Sequence, residues 1–280
     1  MMRLLVLGSS QAAALALGRD AFTAIAPATE LTFFALPGAS WSRTRIDEAG
    51  RLGPAPDDRF GLRKAAEWNG CERIGLQGFD HIAVSAARFH LYYLARLMRA
   101  VDIHGLPATG ALPRISRAML SDTLAAWVRE DLAALRTRLP VGVPVTMIAV
   151  PYPLAATDRP GPSAEPGLAR LRRHPAAPEI ERDYDAAVAG VLSAAGIGWM
   201  AQPDATRAGP FATDDGFARP GALEAEKPDL RHVGADYGRM VMAALARRLG
   251  GAPPGSLADI GPGPLPGPLS KPLSATAGPP

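Results

Sequence analysis

The sequence predicts an α/β fold with a mostly parallel central sheet of about five strands. Two observations predict it. Short apolar runs of strand length alternate with longer segments whose apolar residues recur every three or four positions. Across the 280 residues, 48% are hydrophobic and 20% charged, enough apolar material for the core of one large domain.

The elements follow in order. Residues 3–8, RLLVLG, read as a buried strand, and residues 10–20 as a helix closed by Gly18. Met1-Met2-Arg3 and the apolar residues behind them resemble a short leader segment. Gly8, Ser9, Ser10 and Gln11 interrupt that run after four residues, which is the length of a core strand. A second strand spans 30–38 and ends in the turn-prone pair Pro37-Gly38. Residues 39–73 are rich in Gly, Pro and Arg and show little periodicity, leaving short strands or loops open. A third strand at 79–86 leads into a helix at 88–102, and 103–115 is a connection.

Residues 116–139 carry the clearest helical period, with Leu120, Leu124, Trp127, Val128, Leu132 and Leu135 along one face. A fourth strand at 143–153 ends in prolines, a proline-rich loop follows, and a helix at 179–196 precedes a fifth strand at 196–203. The last helix, 231–250, stops at Gly250-Gly251. Residues 251–280 hold nine prolines and six glycines, a composition that sustains neither helix nor sheet. The expected organisation is one domain over 1–250 and a disordered tail over 251–280.

Composition also excludes function classes. Thirty basic residues against twenty-seven acidic ones, mostly interspersed, give a net charge of +3, which is no nucleic-acid footprint. The run Arg170–His174 reads as a solvated face. No window approaches the roughly 20 apolar residues of a membrane span. Cys71 is the single cysteine, so neither an internal disulfide nor a cysteine zinc site is available, and a reducing, cytoplasmic location is expected. Cys71 reads as an incidental thiol. His81, His90, His104 and His174 form no metal-ligand spacing, and Asp214-Asp215 reads as a solvated acidic turn, so no metal or cofactor is expected.

In open α/β sheets, ligands gather beyond the carboxyl ends of the strands. Three such places carry suggestive residues. Gly8-Ser9-Ser10 joins the first strand to the first helix, where backbone N–H groups can hold a phosphate or an oxyanion. The plainer alternative is a serine N-cap worth about 1 kcal/mol. Gly38 lets backbone approach a ligand closely, or simply makes a turn. Asp229 and His232 lie three apart before the last helix. A serine hydroxyl needs a base, an imidazole supplies one, and a carboxylate fixes its tautomer. The alternative is that Asp229 caps a helix whose first turn holds His232. Pro151-Tyr152-Pro153, after the fourth strand, would shape the same rim.

A first strand ending Gly-x-Ser together with Asp-x-x-His before the last helix resembles the SGNH (GDSL-type) hydrolase family, over about residues 3–250. The resemblance implies a flavodoxin-like three-layer α/β/α sandwich and a serine esterase working through an acyl-enzyme. It assigns Ser10 as nucleophile, His232 as general base and Asp229 as its orienting partner, with the backbone N–H groups of Ser10 and Gly38 as oxyanion donors. Lipids, short acyl esters and O-acetyl groups on polysaccharides are the implied substrates, so a small-molecule or carbohydrate ester is the expected partner. The sequence leaves the oligomeric state open.

The chain departs from the family in two places. Gly-Asp-Ser is Gly8-Ser9-Ser10, where the changed residue is not the nucleophile. The Gly-x-Asn-Asp block after the third strand is Ser85-Ala86-Ala87-Arg88, so the oxyanion asparagine is missing. Loss of one such donor costs about 10²–10³ in turnover. Arg88 is the charged candidate to replace it. The alternative is a weakened or inactive protein of this fold that binds an anionic or acylated ligand at the Gly8–Ser10 turn. A dinucleotide-binding reading fails because the glycines of G-x-G-x-x-G are absent.

Overall fold

The computed structural model describes residues 1–110, 112–159, 164–226 and 228–250. The tail expected over 251–280 lies outside them. The five principal strands are β1 (Met2–Gly8), β2 (Thr29–Ala35), β3 (His81–Ser85), β4 (Val145–Ile148) and β5 (Gly198–Met200). The longer helices are α1 (Ala12–Leu17), α2 (Arg19–Ile25), α3 (Arg59–Asn69), α4 (Leu91–Leu97), α5 (Arg117–Arg136), α6 (Pro166–Arg172), α7 (Ala177–Ala194) and α8 (Ala235–Leu249). The fold is α/β, with helices flanking a sheet in the order β5-β4-β3-β1-β2, the three-layer arrangement expected. The pairs β1/β2, β1/β3 and β3/β4 are all parallel.

The chain divides into two compact units. The first comprises Met1–Ala86, Leu135–Ile148 and, among the described residues, 235–250. Its centre is β1, whose Leu4, Val6, Leu5 and Leu7 are all fully buried between β2 and β3. A strand paired on both sides inside a sandwich has no solvated face, which is why LLVL is continuous rather than alternating. Each such side chain contributes roughly 1.5–3 kcal/mol by leaving water. Helices α1 and α2 pack against α8.

That packing explains Gly18. The expected helix over 10–20 is two helices, because the chain bends at Gly18 and continues to Ile25. A Cβ on Gly18 would lie 2.3 Å from the Gly238 carbonyl carbon, and one on Gly238 would lie 1.8 Å from the Ala14 oxygen. Two backbones meet here with no room for a side chain between them. Residues 39–73, which sequence left undecided, contain α3 and two strands, Arg45–Ile46 and Arg51–Gly53, of a small antiparallel sheet completed by Ile74–Gly75. Asp58 caps α3 by accepting from the Gly61 N–H at 2.9 Å, and left-handed Gly70 closes it.

The second unit comprises Ala87–Ala134 and Ala149–Gly234. The helix expected over 88–102 shortens to α4, since Phe89 and His90 take left-handed backbone angles, φ 37° and 58°, which a helix cannot contain. Helix α5 buries Leu120, Leu124, Val128 and Leu132 along the face its period marks. Arg172, expected on a solvated face, is buried instead. Its guanidinium donates to the carbonyls of Pro153 at 2.8 Å and Phe211 at 3.0 Å, to Thr157 Oγ1 at 2.7 Å and to Asp158 Oδ1 at 2.8 Å. A rigid planar fork satisfies all of these at once, as a lysine could not.

Candidate functional site

The turn after β1 is built around a close approach. A Cβ on Gly8 would lie 2.6 Å from the Ser85 oxygen and 2.7 Å from Ala12 Cβ, so glycine is required by packing. The same Ser85 oxygen accepts from the Ser9 N–H at 3.3 Å, and Gly8 pairs with Ala35 and Ser85 on either side. The N-cap of α1 is Gln11, with no side-chain capping bond, so the serine N-cap alternative does not describe this helix. Ser9 and Ser10 stand in the turn, half-buried.

Gly38 follows β2, the strand neighbouring β1, and opens a single helical turn, Gly38–Trp41. No atom lies within 4 Å of where its Cβ would be. The residue that fixes this place is one that sequence reading passed over. Asn69, buried at the end of α3, accepts from the Ala35 N–H at 2.8 Å and donates to the oxygens of Ala35 at 3.0 Å and Ala65 at 2.9 Å. Its amide thus acts as one more rung on β2, just before Leu36-Pro37-Gly38. The Asn-Gly pair at 69–70 signals a helix end, but not that contact.

Asp229 and His232 lie in the second unit, on a loop tied at both ends. The Asp229 N–H donates to Ala222 at 3.1 Å, the Leu154 N–H to Leu230 at 3.0 Å, and the Gly234 N–H to Phe217 at 2.7 Å. Leu230 and Val233 are buried and anchor the segment, while Arg231 and His232 between them are more exposed. Helix α8 begins at Ala235, so His232 is outside its first turn. His232 Nδ1 contacts both Asp229 oxygens, at 2.9 and 3.0 Å. Asp229 also pairs with Arg219 and accepts from the Arg231 N–H at 3.3 Å. Burial tends to raise the Asp229 carboxyl, but His232 and Arg219 outweigh it and hold it below the usual carboxylate range. It is therefore ionised and keeps the proton on Nδ1.

Two other histidines meet carboxylates in this unit. His174 Nε2 lies 3.2 Å from Asp102, and its Nδ1 accepts from the Ala176 N–H at 3.1 Å, so both ring nitrogens are used in a buried structural node. His90 Nδ1 lies 2.7 Å from Asp131, and its ring stacks on Trp127 at 6.1 Å. His81, in the first unit, bonds Thr146 across β3 and β4 at 2.9 Å. Asp215, half of the acidic turn, is occupied by the Ala156 N–H at 2.8 Å and Arg159 at 3.0 Å. Among the described residues no group of His, Cys, Asp and Glu is arranged to hold a metal.

Arg88 sits in the second unit, between β3 and α4. Its Nη1 donates to the Tyr92 hydroxyl at 3.1 Å and its Nη2 reaches the Pro151 oxygen at 3.5 Å. Its Nε is buried and has no acceptor among the described residues. Arg88 lines a cavity of about 20 Å³, the room of one water, with Tyr152, Tyr184, Asp185 and Gln202. Tyr152, expected at this rim, is buried there; its N–H donates to Gln202 at 2.9 Å.

A hydrogen-bonded chain links Arg88 to the side chain of Arg231, whose backbone N–H meets Asp229. The Tyr92 hydroxyl, accepting from Arg88, donates to Glu165 Oε1 at 3.4 Å, and Arg231 Nε donates to the same oxygen at 2.6 Å. Burial raises the Tyr92 phenol against the pull of Arg88, so the hydroxyl keeps its proton to donate.

No helix among the described residues is long and apolar enough to cross a membrane. No family model matches the chain, and no curated protein matches it. Solved structures similar to it include an extracellular lipase from Streptomyces rimosus, 16% identical with a TM-score of 0.40, over 90% of this chain and 100% of that one. A DUF4886 family protein from Bacteroides uniformis is 13% identical with a TM-score of 0.39, over 93% of this chain and 89% of that one. Neither likeness assigns a residue or an activity to this chain.

Proposed function

We propose that the chain is a serine-dependent ester hydrolase of SGNH type, an esterase or O-deacetylase acting on a small-molecule or carbohydrate ester in the cytoplasm. The observation that carries the reading is the Asp229–His232 pair, in which an ionised carboxylate grips Nδ1 through both oxygens. An imidazole so held takes a proton on Nε2 and is stabilised as the imidazolium.

In this reaction His232 removes the Ser10 hydroxyl proton as Oγ attacks the ester carbonyl. The tetrahedral oxyanion is held by the N–H groups of Ser10 and Gly38 and by the Arg88 guanidinium. Collapse expels the alcohol, which takes the proton from His232. Water, deprotonated by His232, then hydrolyses the acyl-enzyme and restores Ser10. No metal or cofactor enters these steps.

Hydrolysis of p-nitrophenyl acetate by the wild type, Ser10→Ala and His232→Ala proteins tests the reading. The expected result is turnover in the wild type and loss of it in both variants. A second reading, a catalytically inactive protein that binds an acylated or anionic ligand at the Gly8–Ser10 turn, is favoured by the missing asparagine at Ser85–Arg88. It is supported instead if the folded wild type shows no hydrolysis.

A further inference from the structure

One helix holds the end of β2 at two points. β2 is an edge strand, paired with β1 on its inner side and with no strand among the described residues on its outer side. An edge leaves a row of N–H and C=O groups without a strand partner. At Ala35 the Asn69 amide takes both, accepting from the N–H at 2.8 Å and donating to the oxygen at 3.0 Å. Its second amide proton goes to the Ala65 oxygen, one turn back in α3, at 2.9 Å, which keeps the amide in this orientation. On the inner side the Leu36 N–H donates to the Gly8 oxygen at 3.1 Å. The chain is therefore gripped from both sides just before Pro37 and Gly38.

The other end of α3 reaches the helical turn that Gly38 opens. Ser40 in that turn is buried, and its hydroxyl donates to the carboxylate of Asp58, the N-cap of α3. The Gly61 N–H does most to hold that carboxyl below the usual carboxylate range against the effect of burial, with Ser40 and Arg43 adding to it. Asp58 is thus an ionised acceptor, and hydrogen bonds to a charged acceptor are the stronger kind. A Cβ on Gly61 would lie 2.5 Å from Asp58 Oδ2 and 2.7 Å from Ser40 Oγ. Glycine is a poor helix former, and this convergence accounts for its place in the first turn of α3.

We propose that α3 is a two-point clamp that sets where the Gly38 N–H stands relative to the Ser10 N–H, with Asn69, Asp58 and Ser40 as positioning residues for the oxyanion. Both N–H groups and the whole clamp lie in the first unit. The assignment rests on the esterase reading in taking these two N–H groups as the oxyanion donors. None of the three side chains touches the substrate; each acts through the backbone of Ala35–Trp41. Misplacing a catalytic group by about 1 Å costs up to about 10²-fold in rate, so the clamp has a kinetic consequence.

The test compares the full-length wild type with Asn69→Ala, Ser40→Ala and a control, Glu67→Gln, which breaks a surface pair with Lys64 on the same helix. Ser40→Ala deletes one hydroxyl and leaves Asn69 and the α3 cap in place, so the proposal stays testable should Asn69→Ala fail to fold. Hydrogen exchange by mass spectrometry follows residues 36–42, where the Leu36, Trp41 and Ser42 N–H groups are bonded. Both clamp variants should exchange there about tenfold or more faster, with the β1 peptide unchanged. On p-nitrophenyl acetate, kcat should fall roughly 10–100-fold with KM within about twofold. A trifluoromethyl ketone, to which Ser10 adds to leave an oxyanion, should lose affinity by the same factor as kcat/KM, a match that general loosening does not produce. Unchanged exchange in the clamp variants would overturn the proposal. So would faster exchange with kcat and ketone affinity intact, or a Glu67→Gln protein that behaves as they do. A wild type without hydrolysis sinks the esterase reading instead, and exchange over 36–42 then decides by itself whether α3 clamps this turn.

Discussion

His232 Nδ1 sits 2.9 Å from one oxygen of Asp229 and 3.0 Å from the other. The contact fixes the proton on Nδ1, the tautomer that the proposed general-base role requires. Asp229→Asn replaces one oxygen by an amide that can donate to Nδ1 and so favours the wrong tautomer. Ester turnover by this variant should fall on the order of 10³–10⁴-fold with KM little changed. Steady-state kinetics on p-nitrophenyl acetate checks it, and a loss confined to KM would refute the orienting role.

Arg88 stands where the resembled family has an asparagine side chain. If its guanidinium meets the oxyanion, Arg88→Ala should lower kcat by about 10²–10³. The guanidinium also holds Tyr92 and the Pro151 oxygen, so the melting temperature must be followed in parallel. A variant that melts normally and turns over normally would remove Arg88 from the mechanism.

The crossing of α1 and α2 with α8 depends on two glycines. Gly238→Ala places a Cβ 1.8 Å from the Ala14 oxygen, a distance only backbone movement can relieve. Overpacking of this kind should cost roughly 3 kcal/mol, lowering the melting temperature by roughly 6–10 °C. Gly190→Ala, inside α7 where nothing lies within 4 Å, is the control: it should melt no lower than the wild type and up to a few degrees higher, since alanine is the better helix former by about 0.5–1 kcal/mol.

Asp102 is held down to about 2, chiefly by the Thr109 N–H, with the Thr109 hydroxyl, His174 and the Gly110 N–H adding to it against the effect of burial. Its folded value lies below the ordinary 3.8 of an aspartate, so its contribution to stability is complete above that value and is lost as pH falls toward 2. Asp102→Asn should therefore melt below the wild type near neutrality, and the gap should close across that acidic window. Thermal melts at stepped pH test this, and a constant gap would contradict it.

The parts of the fold legible in sequence were those written locally. LLVL marks a strand buried on both faces, and Leu120 to Leu132 mark one helix face, because burial follows a short period. Asp229 and His232 were legible because one tied loop carries both. The Gly18–Gly238 crossing was not, since it joins positions far apart in the chain. The burial of Arg172 was hidden for a similar reason, its acceptors coming from separate loops. Glu165 gains meaning only from Tyr92 and Arg231, neither of which is near it in sequence. Helix α3 is not legible in the sequence, which leaves short strands or loops open over this stretch, because its interior mixes Gly and Arg and masks the period, although Asp58 and Gly70 cap it.

Covalent trapping tests whether Ser10 is the nucleophile. The full-length protein is incubated with a fluorophosphonate and the adduct located by peptide mass spectrometry, with Ser10→Ala and His232→Ala treated alongside. A nucleophilic Ser10 gives a single adduct on Ser10 in the wild type, none in Ser10→Ala, and labelling slowed by about 10³-fold or more in His232→Ala. A folded wild type without an adduct, an adduct on another serine, or undiminished labelling in His232→Ala would contradict it.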